Sequence, residues 1–281
     1  SAACHIVVLG PKTLSLSPDF IGPARELIEP AIRAPSLFLQ GAAGNVNPAC
    51  GIGSGGADQF EDSHRLGMML GGETLKVWAQ IRTQNRRGPR RVVRSVAAIS
   101  TWDYEPMSQQ SVTHLSVARR RLTLALAPLP DLATAELDLA RTRAARDEAL
   151  AGSSQGAKNV AQRMFAWAEQ RHRLVASGNR TVTRELELWA MRINDIGIAA
   201  VSAEPLAELG LEIKRRSPLA HTIFLGYSNG CIGYIPPPEA FAEGGMEVVE
   251  SHYNYLLPAQ LTPEWTPTVV EMTLEMLSRL V

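Results

Sequence analysis

Residues 196–226 read IGIAAVSAEPLAELGLEIKRRSPLAHTIFLG, and this stretch decides the fold class. Its first part, Ile196 to Ala203, is a short apolar run that predicts a buried strand. Glu204 then opens a predicted helix that ends near Arg216, and Thr222 to Gly226 predicts the next strand. Because strands that alternate with helices are typical of α/β proteins, we predict an α/β fold with a mixed sheet core and flanking helices.

The sequence on both sides of this stretch extends the same pattern. Residues 131–175 are rich in Ala, Leu, Arg and Glu and break at Gly152 to Gly156, which predicts an inserted pair of helices. Alternating residues from 181 onward predict a strand pair that turns near Asn194 and Asp195. Further strands are predicted at 5–9, 36–40 and 92–102, and further helices at 15–32, 58–81 and 266–280. No repeat or linker interrupts the chain, so we predict a single catalytic-type domain over residues 1–281.

Composition excludes several classes of protein. The 281 residues are 45% hydrophobic, which is enough for a sizeable core, and 28 basic residues balance 28 acidic ones. A chain without net charge has no global field that attracts nucleic acid, so we expect no nucleic-acid partner. Three scattered cysteines provide neither a disulfide framework nor a zinc-binding pair. No stretch approaches the roughly 20 apolar residues of a membrane-spanning helix, and the sequence fits a bacterial cytoplasmic or secreted protein alike.

Three residues are candidates for a site, each with a structural alternative. Glu204 emerges where a strand passes into a helix, and a helix-capping carboxylate explains it equally well. His5 stands at the start of a predicted strand, where a buried core histidine is the simpler explanation. Tyr234 lies in an irregular loop with three glycines and three consecutive prolines, and the alternative is a tyrosine packed on a proline turn.

Three segments in order carry a family resemblance. They are FLQGAAGNVNP at 38–48, VSAEPLAELG at 201–210, and GYSNGCIGYIP at 226–236 followed by PEAFAEGGME at 238–247. The sequence resembles the neutral (non-lysosomal) ceramidase family, in particular its bacterial relatives, over essentially the whole chain. The resemblance implies the later part of an α/β catalytic domain that hydrolyses an amide bond.

The resemblance also implies a zinc site. In the family, two histidines, a glutamate and a tyrosine bind one zinc ion, and a zinc-bound water attacks the amide carbonyl. The matching positions make His5, Glu204 and Tyr234 metal ligands in this chain. Tyr234 is thereby also a catalytic residue. Imidazole nitrogen and carboxylate oxygen are suitable zinc ligands.

The sequence departs from the family pattern at two positions. Asn47 stands where the family has a serine, so Asn47 is expected to line the pocket as a hydrogen-bonding or oxyanion-stabilising catalytic residue. Met246 stands where the family has a tyrosine near the reaction centre, which weakens the case for ceramide as the substrate.

The family's first zinc histidine and an anion-stabilising arginine have no counterpart in this chain. The resemblance therefore implies an upstream chain or segment that supplies a further histidine ligand.

These residues support three hypotheses for function. The leading one is a zinc-dependent hydrolase of a small-molecule or lipid-like amide, such as an N-acyl amine, that uses metal-activated water. The first alternative is a non-catalytic or regulatory subunit with a degenerate site, indicated by Asn47, Met246 and the missing histidine. The second is an amidase whose nucleophile is an N-terminal Ser1 after chain processing, since a free α-amine can act as the base for its own hydroxyl.

Overall fold

A computed structural model describes residues 3–10, 13, 15–52, 58–86, 90–96, 99–104 and 114–281. The chain divides into two compact units. The sheet unit comprises Ser1–Cys4, Gln40–Val46 and His114–Val281, and the hairpin unit comprises His5–Leu39 and Asn47–Thr113. The expectation of a single domain over residues 1–281 stays a prediction.

The hairpin unit is built from two helices and two strands. They are α1 (Ile21–Ile32), α2 (Gln59–Arg86), β1 (Arg90–Val96) and β2 (Ile99–Tyr104). The helices pack closely where α2 presents Gly67, since a Cβ there would lie 2.5 Å from the carbonyl oxygen of Phe20. The segment 92–102, predicted as one strand, belongs to two strands that pair antiparallel, with Val92 opposite Trp102.

The predictions of strands at 5–9 and 36–40 are wrong. Both segments are irregular, and side chains take the place of a strand ladder: Leu9 N donates to an Asp19 carboxylate oxygen at 2.8 Å, and Gly10 N donates to Gln59 at 3.2 Å. In the segment 36–40, Leu37 is 90% exposed. The apolar residues of this segment therefore do not mark a buried strand. An apolar run becomes a strand only where another strand is available to pair with it.

A four-stranded mixed sheet forms the centre of the sheet unit. Its strand order is β3-β4-β5-β7, with antiparallel pairing between the first three strands and parallel pairing between β5 and β7. A two-residue parallel pair, β6 with β8, lies apart from this sheet. The elements of the unit are β3 (Leu115–Ala125), α3 (Leu132–Ala151), α4 (Gln155–Ala176), β4 (Thr183–Ile193), β5 (Ile196–Val201), β6 (Glu204–Pro205), α5 (Ala207–Arg216), β7 (His221–Leu225), β8 (Tyr234–Ile235), α6 (Ala240–Glu243), a π-helical turn (Met246–Glu250), α7 (Ser251–Asn254) and α8 (Trp265–Ser278).

This architecture confirms the predicted α/β class, with its mixed sheet and flanking helices. The inserted helical pair is also present as α3 and α4, which pack on each other. Asp131 caps α3 by accepting from Thr134 N at 2.8 Å, and Ser154 caps α4 by accepting from Ala157 N at 3.3 Å. Strand β3 has no counterpart among the sequence-based expectations, because its run of three arginines, 119–121, obscures the alternation of exposed and half-buried positions.

Helices α5 and α8 pack on the sheet and on each other. Ile213 and Leu277 are fully buried between these layers. Gly197 of β5 allows α8 to approach the sheet closely, since a Cβ there would lie 3.3 Å from a Leu277 methyl carbon. No helix in the described part of the chain has the length and apolarity needed to cross a bilayer.

A second cluster holds α4 against α7 and contains a buried histidine. His252 is 4% exposed, and its ring lies 5.7 Å from that of Trp167 and 4.0 Å from that of Tyr253. Trp167 is itself fixed, because its indole N–H donates to the Leu257 carbonyl at 2.8 Å. Burial and the nearby Arg171 guanidinium lower the pKa of His252 from 6.5 to about 4.

The α5 packing gives a test of the core. Ile213→Ala removes a fully buried side chain, whereas Leu211→Ala changes a residue on the same helix that is 64% exposed. We expect Ile213→Ala to lower the free energy of unfolding by about 2–5 kcal/mol, and Leu211→Ala to change it by less than about 0.5 kcal/mol. Urea denaturation followed by circular dichroism measures both. Equal losses would contradict the assigned packing of α5.

The histidine gives a test in pH. Between pH 6.5 and about 4 the unfolded chain protonates His252 while the folded protein keeps it neutral, so stability is retained above pH 6.5 and falls as the pH approaches 4. The shift corresponds to a loss of about 3 kcal/mol. His252→Phe keeps an aromatic ring and removes this titration, so its unfolding free energy should fall less steeply over that range. Parallel pH profiles for the two proteins would contradict the assignment.

Candidate functional site

The site begins where β5 ends. After β5 the chain continues through Ser202 and Ala203 into β6, which pairs in parallel with β8 and sets Glu204 opposite Tyr234. The backbone holds this register, because Glu204 N donates to the Gly233 carbonyl at 2.8 Å. The carboxyl ends of strands are where α/β proteins place their ligand-binding groups, and two residues predicted from the sequence meet here.

The Glu204 side chain is 4% exposed, and tyrosine hydroxyls bind both of its oxygens. Tyr227 donates its hydroxyl to Oε1 at 3.0 Å, and Tyr255 donates its hydroxyl to Oε2. A buried carboxylate without hydrogen bonds is costly, so these donors account for its burial. Glu204 is therefore the centre of a cluster of tyrosine side chains, and we call this cluster the Glu204 pocket.

The Glu204 carboxylate contributes to the raised pKa of three nearby tyrosines. Burial is the largest cause that raises the pKa of Tyr227, Tyr234 and Tyr255 well above the usual value, and the charge and hydrogen bonding of Glu204 raise each further. At neutral pH the three phenols therefore keep their protons and act as hydrogen-bond donors. The rings of Tyr234 and Tyr255 also contact edge to face, with centroids 6.2 Å apart.

A thiol lies at the edge of the same pocket. Cys231 is exposed, and its Sγ lies 3.8 Å from the Tyr255 hydroxyl. Although the residue is exposed, partial loss of water around its thiol is the main cause that raises the pKa of Cys231, and the Glu204 charge adds to it. The loop between β7 and β8 therefore contributes both Tyr227 and Cys231 to the surroundings of Glu204.

The structure decides against Glu204 as a helix cap. Helix α5 begins at Ala207, and its first N–H donates to the Asn45 side-chain oxygen at 2.8 Å. The Asn45 amide in turn donates to Glu208 at about 3.0 Å. Asn45 thus caps α5 from a distant part of the sequence. The Glu204 carboxylate instead accepts hydrogen bonds from Tyr227 and Tyr255.

A cleft lies along the segment that follows Tyr234. Its volume is about 440 Å³, and Leu206 and Val248 provide part of its apolar lining. Its rim carries the carboxylates of Glu208, Glu239, Glu243 and Glu247. The Glu247 charge also contributes to the raised pKa of Tyr234.

The other predicted site residues lie elsewhere in the chain. His5 is half-buried and Asn47 is exposed, and both belong to the hairpin unit, so their roles stay predictions. His5 lies in an irregular segment, which corrects the expectation that a strand holds it. Met246 begins the π-helical turn and is 42% exposed. Ser1 lies outside the described residues.

Two further residues of the pocket went unpredicted. Tyr227 belongs to the same segment as Tyr234, GYSNGCIGYIP, and its position seven residues before Tyr234 is the only sequence signal for it. Tyr255 follows α7 and has no motif of its own. Its place near Glu204 results from chain packing between residues 51 positions apart.

The donor atoms fit a metal ion in part. Glu204 supplies carboxylate oxygens of the kind that zinc accepts, and Tyr234 places a phenolic oxygen in the same pocket. Tyr227 and Tyr255 each donate a hydroxyl to one Glu204 oxygen, and hydrogen bonding with Glu204 also acts on Tyr234. Across the ranges that the structure describes, no three or more His, Cys, Asp and Glu side chains are grouped as a metal site.

Two solved structures that share the fold of this chain are ceramidases. Neutral ceramidase from Pseudomonas aeruginosa matches 99% of this chain and 43% of its own, with 15% identity and a TM-score of 0.56. A ceramidase in complex with C2 matches 99% of this chain and 44% of its own, with 15% identity and a TM-score of 0.59. No family model and no curated protein matches the sequence.

At this identity the comparison shows the fold, and the chain spans less than half the length of the two ceramidases. The match extends over nearly all of the present chain, which is the extent that the three sequence segments imply. The resemblance to the neutral ceramidase family is therefore confirmed at the level of the fold, and this chain has the fold of one part of those proteins.

Proposed function

We propose that this chain forms part of a hydrolase that cleaves an amide bond in an N-acyl amine or a lipid-like amide. The observation that carries the proposal is the buried Glu204 carboxylate, held by two tyrosine hydroxyls opposite Tyr234. The ceramidase fold supports the class of reaction. Met246, which stands where the family has a tyrosine near the reaction centre, supports a substrate range not restricted to ceramide.

The proposed cofactor is zinc, with His5, Glu204 and Tyr234 as ligands and a further histidine from an upstream chain or segment. When bound, zinc lowers the pKa of a coordinated water to about 7 and polarises a carbonyl group. Glu204 contributes negative charge and oxygen donors, and Asn47 contributes an amide that can donate to the developing oxyanion.

The residues of the sheet unit have further roles in this scheme. Tyr227 and Tyr255 donate hydrogen bonds to Glu204 and keep the carboxylate in the pocket. The protonated Tyr234 is a hydrogen-bond donor beside the same carboxylate. The four carboxylates along the adjoining cleft favour a cationic group, and the amine released by amide hydrolysis is cationic at neutral pH.

Zinc content of the full-length protein tests the proposal. We expect wild-type protein to bind about one zinc ion, and Glu204→Gln to weaken binding by more than about tenfold. The control is Glu239→Gln, which changes an exposed carboxylate along the cleft and should keep zinc. Inductively coupled plasma mass spectrometry and competition with a chromophoric chelator measure occupancy and affinity.

Hydrolysis of a panel of N-acyl amines completes this test. Activity should disappear with a chelator and return with zinc. Full zinc occupancy after His5→Ala and Glu204→Ala would refute the ligand assignment, and chelator-resistant hydrolysis would refute the role of the metal. Bound zinc without turnover of any amide would favour the non-catalytic subunit.

A further inference from the structure

We propose that Tyr227 and Tyr255 are positioning residues that hold the Glu204 carboxylate in one orientation so that it can bind a metal ion. The inference rests on the proposed function, since it concerns the same pocket. It assigns a role to two residues that the sequence motifs leave without one. Neither tyrosine is proposed as a ligand or as a group that touches the substrate.

The two hydrogen bonds restrain the carboxylate at both ends. Tyr227 reaches Oε1 from the loop after β7, and Tyr255 reaches Oε2 from the end of α7. A single donor would leave the group free to rotate about its last side-chain bond, whereas donors on opposite oxygens oppose that rotation. Groups that hold a metal ligand in place from outside affect metal affinity strongly.

Uncharged donors such as the hydroxyls of Tyr227 and Tyr255 can orient the Glu204 carboxylate without neutralising its charge. A lysine or arginine at the same distance would orient the carboxylate but would also cancel its charge and repel a cation. Hydroxyl groups donate hydrogen bonds and leave the carboxylate charge available. A carboxylate oxygen can accept a hydrogen bond and bind a metal ion at the same time, because it carries two lone pairs.

Backbone strain at Tyr227 supports a role beyond packing. Tyr227 has a φ of 53°, a left-handed conformation that is uncommon for a bulky aromatic residue. Its backbone N–H donates to the Ala203 carbonyl at 2.8 Å, next to Glu204 in sequence. The chain thus accepts an unfavourable backbone conformation at the residue whose hydroxyl reaches the carboxylate.

Tyr255 depends on a second unusual backbone position. Gly233 has a φ of +129°, and a Cβ at this position would lie 3.2 Å from a carbon of the Tyr255 ring. A side chain at this position would therefore press on the Tyr255 ring and also strain the backbone, and glycine avoids both. Leu256, the next residue after Tyr255, also has a left-handed φ of 52°.

Zinc affinity of phenylalanine variants tests the proposal. Tyr227→Phe and Tyr255→Phe each remove one hydroxyl and keep the ring. In the full-length protein we expect each to weaken zinc binding by about 10–100-fold, measured by competition with a chromophoric chelator. The control Tyr253→Phe removes a hydroxyl in the His252 cluster, and zinc affinity should stay within about twofold of wild type.

A crystal structure of the metal-free double variant, Tyr227→Phe with Tyr255→Phe, gives a readout that needs no zinc. The Glu204 carboxylate should lose its single orientation while the Glu204–Tyr234 register remains. If wild-type protein binds no zinc, the proposed function fails, and this structure still decides the positioning role. An unchanged carboxylate orientation, or zinc affinity within twofold of wild type for both single variants, would overturn the inference.

Gly233 provides an independent test with a matched control. Gly233→Ala should displace the Tyr255 ring and weaken zinc binding about as much as Tyr255→Phe does. Gly178 also has a positive φ, +85°, but has open space around it. Gly178→Ala should therefore lower the unfolding midpoint in urea and leave zinc affinity unchanged. Equal zinc affinities for the two alanine variants would contradict the proposed dependence of Tyr255 on Gly233.

Discussion

A carboxylate that is removed from water must be given hydrogen bonds, and the Glu204 side chain shows how this chain meets that requirement. Its two oxygens accept hydroxyls from Tyr227 and Tyr255, and its backbone N–H is bound to the Gly233 carbonyl. Without these partners the free energy cost of burial would reach several kcal/mol. Three segments of the sheet unit, those that carry Tyr227, Gly233 and Tyr255, are therefore held in place by hydrogen bonds to this one residue.

The mixed sheet makes this arrangement possible. Parallel pairing of β5 with β7 brings the ends of both strands to the same edge, where one continues into Glu204 and the other into Tyr227. The short pair of β6 and β8 then adds Tyr234 to that edge. Left-handed conformations at Tyr227, Asn229 and Leu256 accompany these turns. Strain of this kind persists only where surrounding contacts maintain it, and it is common at functional sites.

The similarity to ceramidases is a similarity of fold and covers only part of each ceramidase chain. At 15% identity nearly all of this chain shares a fold with less than half of each of the two ceramidases. Conservation of fold at such low identity reflects the tolerance of cores to substitution when volume and polarity pattern are kept. Chemistry depends on individual side chains, so the shared fold does not determine the roles proposed for Asn47 and Met246.

The sequence by itself determined the α/β class, the inserted helical pair and the pairing of β4 with β5, because alternation, helix propensity and turn residues are local signals. It also singled out Glu204 and Tyr234 through their segments. Only the tertiary structure decided that Asn45 caps α5, that residues 5–9 and 36–40 form no strands, and that Tyr255 joins Tyr227 on Glu204. Each of these depends on which distant groups supply hydrogen-bond partners, and local sequence patterns do not encode that choice.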